Sequence, residues 1–212
     1  MGSKHTVTSS TTNATHAFRA GRPSRSESGF SLIEVLISIV VLSFGLLGMV
    51  GMQAASLQSN REARLQSSAV VLARELAELM RGNKAIGILT TGNPYLGDFV
   101  TPLAAATPSY CLNVAPLTTP CTDATDVGNA QMTEWLARVD AELPGAHVKT
   151  CFDSAPFDSD GLPRWACNNT GGVIVVKIGW TRGSTDRSKS GAAALEKATV
   201  PSVVFSVTAG IS

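Results

Sequence analysis

Residues 30–52 read FSLIEVLISIVVLSFGLLGMVGM, an apolar run whose only charged side chain is Glu34. Coiled as a helix, a run of this length extends roughly 34 Å, enough to cross a hydrocarbon core about 30 Å thick. A carboxylate inside such a span costs about 2.5–3.5 kcal/mol on insertion scales, so Glu34 marks a functional position and needs a partner. A secretory signal would carry a shorter apolar region closed by a small-residue cleavage site. Here QAASLQSNREARLQ follows directly, and neither Gly nor Pro occurs from Gln53 to Arg81. The spacing predicts one helix of about fifty residues, stopped at Gly82-Asn83.

The segment ahead of the run, residues 1–29, is rich in Ser and Thr and has no apolar periodicity. It holds Lys4, Arg19, Arg22 and Arg25 against Glu27, a net of +3, while the rest of the chain carries −2. A basic flank before a span places the N-terminus in the cytoplasm and the C-terminal part outside. The opening MGSKHT fits the myristoylation pattern, which a short degenerate motif meets by chance and which a membrane span makes superfluous. Over the whole chain 16% of residues are charged and the formal charge is +1, with a mean hydropathy of +0.16. That balance leaves no basic field for nucleic acid.

Past the span, Leu65, Leu72, Leu76 and Leu79, with small Ser68 and Ala69, form a narrow apolar stripe at helical spacing, which something must cover. The cover is expected in residues 83–212. Residues 83–128 read as an irregular Gly-, Pro- and Thr-rich connection. A second helix is predicted at about 129–142, from Met132, Trp135, Leu136, Val139 and Leu143, with Pro144-Gly145 ending it and Glu134–Arg138 as an exposed pair. Three strand patterns follow. Val148, Thr150 and Phe152 alternate with polar neighbours; Ile174, Val176, Ile178 and Trp180 share one face of VIVVKIGW; Val203, Phe205 and Val207 share one face of VPSVVFSVT. The polar stretch 181–198 is long enough to join the last two as a hairpin. The fold class is therefore α+β, with the outer half of the first helix packed on an antiparallel sheet.

The cysteines, Cys111, Cys121, Cys151 and Cys167, all lie beyond the span, which suits an oxidising compartment. They allow three connectivities; Cys111–Cys121 and Cys151–Cys167 are favoured because each closes a short loop rich in turn formers. No CxxC pair occurs and His147 is the only histidine after residue 16, so the spacing predicts no metal centre. The same histidine count, with no GxSxG elbow, leaves catalysis without machinery, and no cofactor is expected. FDSDG at 157–161 lacks the third spaced acid of a calcium loop and reads as an Asp-rich turn. Of the tryptophans, Trp165 stands outside the apolar stripes, whereas Trp135 and Trp180 lie on them and read as core. Gly45, Gly48 and Gly51 recur every third residue, as helix packing or local unwinding would use and as membrane helices commonly show.

Gly29-Phe30 followed by Ser31-Leu32-Ile33-Glu34, at the head of an apolar helix and behind a basic leader, resembles the class III signal of type IV pilins. The resemblance implies the following. A prepilin peptidase cuts between Gly29 and Phe30 on the cytoplasmic side, glycine letting the chain lie extended in its site, and the new amine of Phe30 is methylated. Glu34 then pairs with that amine, on its own or a neighbouring subunit, which lowers the burial cost of both charges. LSFGLLGMVGMQAASL and LARELAELMRGN look like the PilV group of minor pilins, the type IV pilus modification proteins, with a looser match in the head. The implied layout is a removed leader 1–29, a membrane and assembly half 30–52, an amphipathic half 53–82 and a periplasmic head 83–212. The leader is longer than many prepilin leaders. Implied partners are the peptidase, the bilayer, the inner-membrane assembly platform, and the other minor pilins and the major pilin. The protein is expected first in the inner membrane as a single-pass chain and then in the pilus, serving pilus assembly, twitching motility or adhesion. A type II secretion pseudopilin would share the same N-terminus, and a membrane-anchored binding module that never polymerises is a third possibility.

Overall fold

The computed structural model describes residues 29–112, 119–184, 186 and 188–208; the leader up to Ser28, on which the cleavage signal's basic flank falls, lies outside the described residues. The described chain falls into two compact units that divide between Val50 and Gly51. Helix α1 spans Leu32–Gly82, ending at the Gly-Asn stop. From Leu32 to Met52 its large apolar side chains are exposed, and this stretch is long and apolar enough to cross a membrane.

In the second unit, α1 presents Ala69, Leu72, Ala73, Leu76, Ala77 and Met80 as its buried face. Leu65 and Leu79 of the predicted stripe sit at its edges, partly buried. The small alanines between the leucines let other elements approach closely. Helix α3, Ala124–Glu142, contributes Met132, Trp135, Leu136 and Val139 to the same core. The Trp135 indole N–H donates to the Leu72 carbonyl of α1 at 3.0 Å, so this large ring is buried with its polar end satisfied. Arg138 does not pair with Glu134 as the local spacing predicted; it reaches Glu75 of α1 at 2.5 Å.

The third layer is a four-stranded sheet in the order β1-β2-β3-β6, antiparallel throughout: β1 Gly97–Val100, β2 His147–Phe152, β3 Ile174–Gly179 and β6 Val203–Val207. Val148, Ile174, Val176, Ile178, Trp180, Val203 and Val207 join the helix core. The fold is thus α+β, a long N-terminal helix with a C-terminal antiparallel sheet. Between β3 and β6 the polar stretch adds a small ribbon, β4 Arg182–Gly183 with β5 Leu195–Glu196.

Two expectations for residues 83–128 are corrected. The stretch is not wholly irregular: a single helical turn, α2 Lys84–Gly87, and the edge strand β1 lie in it. Also, α3 begins at Ala124, not near 129. Its N-cap is Asp123, whose side chain accepts from the Asp126 N–H at 2.9 Å, a standard way to satisfy an orphan donor. Gly128 sits inside the helix because there is no room for a side chain. An added Cβ would come within 2.7 Å of Pro94 Cγ. Gly128→Ala should therefore destabilise the head by about 1 kcal/mol, the overlap outweighing the helix-propensity gain. Thermal unfolding checks this, and a raised Tm would contradict it.

Candidate functional site

The N-terminal site is assembled within one helical turn. Gly29 and Phe30 precede the helix, and the Ser31 carbonyl accepts from the Glu34 and Val35 N–H groups at 3.0 and 3.3 Å. This first turn places Glu34 where the positive end of the helix dipole favours a carboxylate. Phe30 is 82% exposed among the described residues. The two hydroxyls further along, Ser38 and Ser43, donate to the Glu34 and Ile39 carbonyls at 2.7 Å each. Back-bonding of this kind satisfies them without water, as a hydrocarbon environment demands. Glu34 is the only charged side chain in the apolar half of α1, residues 32–52. At Gly45, Gly48 and Gly51 an added Cβ would meet nothing within 4 Å. Among the described residues no packing therefore calls for glycine at those positions.

A second polar constellation lies in the head, on the face of the sheet away from the helices. Lys149 of β2 stands directly opposite Lys177 of β3, a like-charge juxtaposition that each lysine resolves with its own acid. Lys149 donates to Asp98 Oδ2 of β1 at 2.8 Å. Asp98 Oδ1 is 2.6 Å from His147 Nε2, and the His147 ring stacks on Trp165 at 3.8 Å. Burial pushes the Asp98 carboxyl upward, but hydrogen bonds and charge from Lys149 and His147 outweigh it and hold the group below its usual range. His147 thus serves at the entrance of β2 as a strand-to-strand contact. Lys177 donates to Asp153 Oδ2 at 2.6 Å and to the Ala166 carbonyl at 2.8 Å; both charged side chains are 0% exposed. Sequence alternation placed Lys177 opposite the core-facing residues and gave no sign of its burial. The one available signal was a lysine in the middle of an otherwise apolar strand.

The cysteines are joined as Cys111–Cys121 and Cys151–Cys167. The FDSDG turn is closed by Asp158, whose Oδ1 accepts from the Asp160 and Leu162 N–H groups. Trp135 and Trp180 are fully buried, and Trp165 is partly exposed.

A family model described as "Prokaryotic N-terminal methylation motif" matches residues 24–50. No curated protein and no solved structure matches the chain. The motif covers the Gly29–Phe30 junction, Glu34 and most of the span. It supports a protein of the type IV pilin-like or pseudopilin class, a class that is processed by prepilin peptidase and whose role is structural. The apolar helix near the N-terminus fits single-pass membrane anchoring.

Proposed function

We propose that this chain is a minor pilin of the type IV pilus, of the PilV group. The observation that carries this reading is the methylation motif at residues 24–50 laid over an apolar half-helix, residues 32–52, whose one charged side chain, Glu34, follows the Gly29–Phe30 junction by a single turn. Prepilin peptidase cuts after Gly29 and methylates the amine of Phe30. The apolar half of α1 is held in the inner membrane, with the leader cytoplasmic and the head periplasmic, until assembly moves it among sister helices. Glu34 then neutralises a Phe30 amine in the filament. Gly45, Gly48 and Gly51, which no contact among the described residues explains, allow close helix approach or local unwinding during that transfer. The head, residues 83–212, contacts other minor pilins and the major pilin above the assembly platform.

Two measurements test this. The mature chain should begin at Phe30 with about 14 Da of added mass from one methyl group, read by N-terminal sequencing and intact-mass spectrometry. A mature N-terminus elsewhere would overturn the processing assignment. Deleting the gene should remove or sharply reduce surface pili by electron microscopy and abolish twitching. Fully piliated, motile cells would count against the pilus assignment, and a protein-secretion defect in those cells would favour a type II secretion pseudopilin.

A further inference from the structure

We propose that the Cys151–Cys167 disulfide is coupled to the buried Lys177–Asp153 pair, so that oxidation is what allows the head to close over a charged lysine. Three placements lead there. Lys177 lies in β3, where every residue from Ile174 to Gly179 is buried, and its ammonium is cut off from water. Both groups that accept its hydrogen bonds, the Asp153 carboxylate and the Ala166 carbonyl, belong to the 151–167 segment that the disulfide closes. Each stands within two residues of one of the two cysteines. The Asp153 carboxylate and both sulfurs, moreover, lie within 4.8 Å of one another. Asp153 is further fixed by accepting from the Ala155 N–H at 3.0 Å.

A buried ammonium is tolerated only while its partners hold their positions. With the disulfide formed, the segment is a closed loop whose ends are pinned, and its two acceptors are held against Lys177. Reduction by a dithiol transfers two electrons: the Sγ–Sγ bond breaks, two thiols form and the dithiol becomes a disulfide. The part of the segment beyond β2 then loses its covalent tie to the sheet, and Lys177 either follows it to water or stays buried with weakened partners. Formation is the reverse exchange with a disulfide carrier of the oxidising compartment. The head therefore closes only after oxidation, a device that does not depend on the pilus assignment.

The test compares removal of the disulfide in two backgrounds of the full chain in detergent micelles. Cys151→Ser/Cys167→Ser is made in the wild type and in Lys177→Met/Asp153→Asn, which has no charge at the site. The serine pair should lower Tm by at least about 5 °C more in the wild type than in the neutral background. In parallel, Lys177 is probed with an amine-reactive succinimidyl ester, well below the melting temperature, with exposed Lys197 as the control. Lys177 should stay unlabelled in the oxidised chain and in Cys111→Ser/Cys121→Ser, and react after dithiol treatment. Equal Tm losses in the two backgrounds, or a Lys177 that remains protected after reduction, would overturn the coupling. If the neutral background does not fold, the labelling result decides; if the reduced wild type does not fold, survival of the neutral background without the disulfide decides.

Discussion

Glu34→Ala will leave the chain in the membrane and cut after Gly29, but at least tenfold depleted from filaments. The span loses nothing by the change: removing the carboxylate makes insertion easier by about 2.5–3.5 kcal/mol. The first turn survives too, since its hydrogen bonds run from the Glu34 and Val35 N–H groups to the Ser31 carbonyl and do not use the side chain. What is lost is the counter-charge proposed for the Phe30 amine. Stripping one member of an ion pair in a water-poor helix bundle leaves the other uncompensated, at about 3–5 kcal/mol, and 1.4 kcal/mol already corresponds to tenfold. Glu34→Gln should behave as the alanine variant does, because an amide has the shape without the charge. Immunoblots of membranes and of sheared pili, with tagged wild type alongside, read both quantities. Normal incorporation of Glu34→Gln would remove the ion pair from the account.

The contrast between what could and could not be read from the sequence follows from the range of the interactions involved. The N-terminal site is local: junction, carboxylate and span all lie within one stretch, so their order in sequence is their order in space. The end of α1 at Gly82 was legible for the same reason. Strand β1 was not. Gly97–Val100 has one inward apolar residue, Phe99, and owes its strand form to pairing with β2 some fifty positions away. The early start of α3 was hidden by Gly128, which signals a break until Pro94 is seen packed on it. Arg138 shows the limit of helix-surface rules, since a partner on another element, Glu75, takes the place of the one a turn away. The Lys177–Asp153 pair was invisible because its members are 24 positions apart and only the tertiary fold covers them.

That hidden pair sets the largest stability effect expected in the head. Asp153→Ala will destabilise it by about 3–5 kcal/mol, a Tm loss of roughly 10 °C or more, because Lys177 is left in its buried site without a counter-ion. Lys177→Met/Asp153→Asn should recover most of that loss, since a neutral side chain of similar length fills the space and the amide oxygen still accepts from Ala155. The same pair fixes the acid response. Burial raises the Asp153 carboxyl, but the hydrogen bonds from Lys177 and Ala155, and the lysine's charge, together hold it below the ordinary carboxylate range. A group whose folded value is depressed contributes stability above its unfolded value, near 3.9, and loses it as pH falls toward the folded value. Wild-type stability should thus decline with a steep slope below about pH 4. The neutral double variant should show a shallower slope in that window and none of the difference at pH 7. Asp98, depressed by Lys149 and His147, adds a contribution of the same sign that both chains share, so it cancels in the comparison. Identical acid slopes in the two chains, measured by thermal unfolding between pH 2 and pH 7, would mean that the buried pair is not what holds the loop against the sheet.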